Sequence, residues 1–384
     1  MLTFPFSIYL DTRLTISRTS FHWHGIRQLN NAINDGANGV TECPIPPKGG
    51  RKTYSFLAQQ YGTSWYHSHY SSQYANGVTG SIVINGPASL PYDIDLGAFP
   101  ISDWYYGAAD NLLHRVIDPS NPNIPGAPGS PPPSDNILFN GKNVNPSGSG
   151  GSYAKLVLTP GRRHRLRLIN PSVDNTFTVS IVGHSMTVIA TDFVPVNAFT
   201  TSSLYFSIGQ RYDVTIDASQ PVGNYWINVT FSSAGVCGGS RNPSPAAILS
   251  YTGASNSLPT NRGTAPPDSF CQDQTNFVPI VTRTVPRAGF SVTPANSLPV
   301  TLSVDAAASK VFWRVNGSAI DVIWEKPLLQ FIREGNTSWP TRENVIIVPP
   351  SSDVIEDPFL LSRHQGGIML TCRCGSGVFG IFKT

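Results

Sequence analysis

Apolar and polar residues alternate with a period of two along much of this chain. The clearest runs are Lys155-Leu156-Val157-Leu158-Thr159, Phe177-Thr178-Val179-Ser180-Ile181-Val182 and Tyr212-Asp213-Val214-Thr215-Ile216. Successive side chains of an extended strand leave opposite faces, so the alternation predicts half-buried antiparallel strands of a sandwich or barrel. Gly80-Ser81-Ile82-Val83-Ile84-Asn85-Gly86-Pro87 reads as another strand, ended by turn residues. Ser297–Leu302 and Val311–Gly317 are strand candidates further on, and Pro299, which cannot donate to a ladder, puts the first of them at a sheet edge. Residues 124–134 and 146–152 are Pro/Gly/Ser loops, and 252–287 is a Pro/Thr/Ser-rich connector containing Cys271.

Composition supports the same class. Charged residues make up 13% of the chain, against 34 glycines and 33 prolines, which favours short strands and turns over helices. A length of 384 residues allows two or three domains with ample core. The net charge of +3 is too small to suggest a nucleic-acid partner, and no stretch is long and apolar enough to span a membrane as a helix. The one basic run, Arg162-Arg163-His164-Arg165-Leu166-Arg167, alternates with apolar positions and is expected to be a solvated strand face.

Chemistry concentrates between positions 22 and 69. His22-Trp23-His24-Gly25 and Trp65-Tyr66-His67-Ser68-His69 each hold two histidines at i and i+2. On a strand such a pair leaves one face roughly 6.5–7 Å apart, and two adjacent strands would aim four imidazoles into one volume. A lone His-x-His is more often a surface pair than a ligand set. Here two copies flanked by aromatic residues take four of the eight histidines, which makes a metal site the better reading. Imidazole suits copper, zinc, iron and nickel, and neither pair contains the carboxylates that calcium or magnesium would need. His114 and His184 have no second candidate ligand nearby and read as structural or surface residues.

These motifs, with Asp35-Gly36-Ala37-Asn38-Gly39-Val40-Thr41-Glu42-Cys43-Pro44 and Gly62-Thr63-Ser64 before Trp65, resemble the first domain of multicopper oxidases, in wording nearest to laccases of filamentous fungi. The resemblance runs from about Ser20 to about Val348. It implies an all-β chain of tandem cupredoxin-like (plastocyanin-like) Greek-key sandwiches: residues 1–91, 92–251, a connector 252–287, and a partial third domain 288–384. It implies copper, four ions per chain in the family, with His22 on the type 2 ion, His24 and His67 on one type 3 ion, and His69 on the other. Asp35 resembles the acidic residue that supports proton delivery, and Asp174 a carboxylate that accepts a phenol's proton. By itself Asp174 is an ordinary turn residue. Cys237 and Cys271 resemble a family disulfide, whose 34-residue loop would contribute roughly 3–4 kcal/mol on the chain-entropy model.

The resemblance also sets expectations about what these residues omit. Relatives carry strands before the first histidine motif, so the first domain is expected to be clipped. From about residue 349 the sequence diverges, and two further histidine pairs and a His-Cys-His type 1 set are expected but not found. Thr371-Cys372-Arg373-Cys374 stands there instead; a soft-metal site is one reading and an unstructured tail the preferred one. Cys43, whose family counterpart pairs near the far C-terminus, could pair with Cys372 or Cys374. Sequons at Asn228, Asn316 and Asn336, with the cysteines, favour a secreted glycoprotein, although Met1–Leu10 shows no recognisable signal.

Small phenols and dioxygen are the implied partners of a monomer that removes single electrons from phenols and reduces dioxygen to water. The alternative is a non-catalytic copper-binding protein or a defective gene product. A zinc hydrolase is weaker, because neither histidine pair includes a Glu to act as general base.

Overall fold

A computed structural model of the chain describes residues 5–11, 17–117, 132–234, 237–282, 299–305 and 310–347, with three short strands beyond them. Strands dominate. The first domain contributes β1 (Pro5–Asp11), β2 (His22–Trp23), β3 (Arg51–Leu57), β4 (Gly62–His67) and β5 (Thr79–Ile84). β1 pairs with β3, and β2, β4 and β5 form a three-stranded sheet in that order. Trp23, Ile26, Ile45, Tyr54 and Phe56 make its core, and Phe193 of the next domain packs into the same cluster.

The second domain holds β6 (Ile94–Trp104), β7 (Asn136–Phe139), β8 (Lys155–Leu158), β9 (Arg163–Ile169), β10 (Phe177–Ile181), β11 (Met186–Thr191), β12 (Val194–Thr201), β13 (Ser203–Phe206), β14 (Arg211–Asp217), β15 (Asn224–Thr230) and β16 (Ala246–Tyr251). One sheet runs β12-β11-β14-β9-β6-β7 and the other β13-β10-β15-β16-β8. Alternate residues of both meet in one core that includes Leu166, Leu168, Phe177, Val179, Val188, Val214, Ile216 and Leu249. The period-2 runs of the sequence are thus strands β8, β10 and β14, each within a residue or two of its expected bounds.

A helix, α1 (Ala109–Ile117), follows β6, and the last third opens with the hairpin β17 (Val300–Asp305) and β18 (Lys310–Val315). Pro299 lies just outside that hairpin, where its missing N–H costs no ladder bond. Helix α2 (Leu328–Arg333) then docks on the first domain, its Leu328 and Leu329 amides donating to the Gly39 and Val40 carbonyls.

The basic run corrects the reading of a solvated face. In β9 the residues His164, Leu166 and Leu168 enter the core, and Arg165 and Arg167 on the opposite face are buried too. The first domain covers that face. Arg165 and Arg167 both pair with Asp213 of β14, and Arg167 reaches Asp95 of β6 at 2.6 Å and Thr63 of β4 at 3.1 Å. The sequence alternation was sound, but both faces of a central strand are enclosed when another domain packs on the sheet. Outside the described residues lie Cys372, Cys374 and most of the divergent stretch from residue 348 onward.

Candidate metal centre

Antiparallel pairing of β2 with β4 sets His22 directly across from His67 and Trp23 across from Tyr66. The period of two sends the two aromatic rings into the first-domain core and the two imidazoles to the other face. His24 lies one residue past the end of β2, and His69 two residues past the end of β4. The expectation that each histidine pair sits wholly on a strand therefore holds for one member of each, and specific bonds place the other. His24 stays in line because its amide donates to Trp65 O at 3.0 Å and Ser64 Oγ donates to its carbonyl. The His69 amide donates to Ser20 Oγ at 3.1 Å.

All four rings converge. The His22 ring centroid lies 5.9 Å from that of His24, 5.3 Å from His67 and 5.5 Å from His69. His24 to His67 is 5.5 Å and His67 to His69 is 5.9 Å. One ring nitrogen from each of His22, His24 and His67 falls within 4.8 Å of the other two.

The ring nitrogens are sorted by what their partners can do. A carbonyl only accepts, so His22 Nδ1 carries the proton it donates to Asp35 O at 2.8 Å. Its Nε2 is then a bare lone pair, and that atom is buried without a partner. His67 Nδ1 likewise donates to Ser68 O at 3.0 Å, which turns its Nε2 toward His24 Nδ1, 3.3 Å away. Burial, then the neighbouring His67, pushes the His24 pKa well below the ordinary histidine value. Burial and His22 do the same to His67, and they lower His69 to about 4. Neutral imidazole is the form that ligates.

This donor set fits a metal ion. An orphaned buried acceptor ordinarily costs about 1–3 kcal/mol, and an ion in the shared volume would satisfy it. Nitrogen-only donors suit copper or zinc over magnesium or calcium.

The surroundings hold the rings in place. Trp65 stacks on His24 at 4.7 Å and on His67 at 4.3 Å. Ser68 and Thr19 hydroxyls both donate to Gln73 Oε1 at 2.6 Å, tying the turn after β4 to the segment before β2. Gly36 has φ +82° and lies so close to the Phe21 carbonyl that a Cβ would sit 1.7 Å from its oxygen. Only glycine lets the Asp35 loop come this close to His22. The Asp35 carboxylate lies 3.7 Å from His22 Nδ1.

Asp174 is not part of the histidine cluster. It sits in the loop after β9, connected to the cluster through Tyr74, whose ring is 5.2 Å from His67 and whose hydroxyl donates to Ser172 O at 3.5 Å. Burial, then Asp103, raises the Asp174 pKa to about 7. Sequence reasoning missed Asp103, a buried carboxylate on β6 that accepts from the Val173, Asp174 and Asn175 amides at 2.9–3.1 Å and so fixes that loop. An aspartate at a core-facing position of an apolar strand was the available signal. His184 is structural, bonded to Val182 O and the Tyr251 hydroxyl, and His114 is exposed. Cys237 and Cys271 form the expected disulfide. Cys43 is exposed, with its thiol 3.5 Å from Glu325 O.

Comparison with known proteins gives a consistent result. Two family models described as multicopper oxidase match residues 8–89 and 96–254. A laccase of Cryphonectria parasitica is 56% identical over 343 residues, 89% of this chain and 56% of that protein. Laccase-3 of Botryotinia fuckeliana is 45% identical over 345 residues, 89% of this chain and 73% of that protein. The crystal structure of a Botrytis aclada laccase superposes with a TM-score of 0.77 at 30% identity, covering 99% of this chain and 75% of that one. The chain spans about half the length of the first curated relatives it matches.

Proposed function

We propose, since this chain belongs to the multicopper oxidase family, that it is the part of a laccase-type oxidase that supplies His22, His24, His67 and His69 to a copper cluster reducing dioxygen. The all-β architecture is that of the family's cupredoxin-like domains, and the family binds copper. The reaction is removal of one electron from each of four phenols, with four electrons and four protons converting dioxygen to two waters. Bound copper would supply the redox capacity; the chain's own residues orient ligands, exclude water and handle protons. The convergence of the His22, His24 and His67 ring nitrogens within 4.8 Å carries this reading.

In this reading His22 would hold the type 2 ion, His24 and His67 one type 3 ion, and His69 the other. Asp35, whose carboxylate lies 3.7 Å from His22 Nδ1, is the acidic residue placed to support proton delivery at the edge of the cluster. Asp174, raised to about 7, is poised to accept a phenolic proton near neutral pH. Three sequons and one disulfide support a secreted glycoprotein, and no described helix is long and apolar enough to cross a membrane.

These 384 residues hold two of the four histidine pairs such a cluster uses. Expressed by themselves they are expected to bind copper and to show neither intense blue colour nor phenol-dependent oxygen uptake. The function is tested by a chimera in which residue 347 is continued by the matching C-terminal part of the Cryphonectria parasitica laccase. Oxygen uptake with a simple phenol, abolished by His24→Ala with His67→Ala, is the expected result. A folded, copper-loaded chimera without uptake would overturn the oxidase reading and leave a non-catalytic copper-binding protein.

A further inference from the structure

Among the described residues, the second domain gives no ring to the histidine cluster, yet it forms one wall of it. The turn between β13 and β14 brings Gly209 against His24, so that a Cβ at this position would lie 3.1 Å from both Cε1 and Nε2 of the ring. Trp65 of the first domain stacks on the same imidazole at 4.7 Å. His24 is therefore held between a tryptophan of one domain and a backbone turn of the other, with Nδ1 left facing His67.

The turn is itself anchored. The Gly209 amide donates to Asn170 O at 2.8 Å, and Arg211 Nη1 donates to Gly209 O at 3.0 Å. Arg211 Nε crosses the domain boundary to Thr63 O at 3.1 Å, and its guanidinium packs so tightly on Gly25 that a Cβ there would sit 2.5 Å from Nη2. Asp192 pairs with it at 3.0 Å, and Phe193 lies under the guanidinium at 5.4 Å. One buried side chain thus touches the residue after His24, the strand that carries His67, and the turn behind the His24 ring.

We propose that Gly209 and Arg211 are positioning residues for His24, so that the second domain sets the direction in which this ring offers its nitrogen to a metal. The inference rests on the copper reading above. Its chemistry is geometric: a ligand ring that can swing loses the preorganisation from which metal affinity derives, and altering such supporting contacts typically costs 10–100-fold in affinity.

Glycine substitutions separate this role from backbone strain. Gly209 and Gly161 share left-handed backbones, at φ +78° and +73°, but nothing lies within 4 Å of a Cβ at Gly161. Copper(II) affinity of the whole chain would be measured by competition with a chromophoric chelator, alongside melting temperature and the nitrogen hyperfine pattern in electron paramagnetic resonance. Gly209→Ala and Arg211→Gln should each weaken copper about tenfold or more and alter the hyperfine pattern. Gly161→Ala should lose a similar amount of thermal stability and keep wild-type affinity and spectrum. Equal affinity and spectrum in Gly209→Ala and wild type would overturn the inference while sparing the copper reading, and so would equal losses of copper affinity in the two glycine variants. A wild-type chain that binds no copper would overturn both.

Discussion

His22 shows how much one hydrogen bond decides: by donating from Nδ1 to a carbonyl, it commits Nε2 to the cluster. That such a cluster exists was legible from two His-x-His motifs. Which nitrogens face inward was not, because tautomers are set by Asp35 O and Ser68 O, which are neighbours in space or in turns. Asp174 became a candidate only through resemblance, since its environment depends on Asp103, 71 residues away. Its carboxyl should titrate near 7 when followed by carbon-13 NMR, and Asp103→Asn should move that midpoint downward. A midpoint near 4 in the wild type would remove its case as a proton acceptor. Asp174 and His69 act oppositely on stability. With a folded pKa raised to about 7, Asp174 contributes stability that is full below about 3.9 and lost as pH rises toward 7. His69, lowered to about 4, contributes stability that is present above about 6.5 and lost as pH falls toward 4. Between those values the two offset each other, so site-resolved titration reports what a melting curve hides.

At the scale of elements, strand β9 separates what pattern reveals from what it conceals. Its alternation located a strand correctly. The charge on its second face pointed to solvent, because a single sequence does not show which sheet face another domain covers. Burial makes Asp213 indispensable there, since without it two buried guanidinium groups lose a shared anion. Asp213→Ala should cost about 3–5 kcal/mol in denaturant unfolding. Asp217→Ala, which breaks the exposed pair with Arg163, should cost less than about 1 kcal/mol. Similar small losses in both would mean that the buried network is no more than a surface pair. The histidine pairs teach a related lesson. Strand period explains His22 and His67, whereas His24 and His69 are placed by Trp65 O, Ser64 and Ser20 beyond the strand ends.

Across the whole molecule, the all-β class followed from turn-rich composition and periodic runs. Far-ultraviolet circular dichroism should accordingly be strand-dominated, and a helical spectrum would be incompatible with the fold. Contacts between units were not legible. Val322 packs on Gly39 and Trp324 on Tyr70 at 5.1 Å, so the last third of the chain rests on the loop that follows Asp35 and on the turn after β4. The second domain, for its part, backs the His24 ring. The four histidines all come from residues 22–69, while the turn at Gly209 backs one of their rings. The most direct test of the metal centre is the copper content of purified, copper-loaded protein after desalting. Wild type and His114→Ala should retain copper with imidazole nitrogen hyperfine coupling, and His24→Ala with His67→Ala should lose most of it. Equal copper in all three would contradict the account.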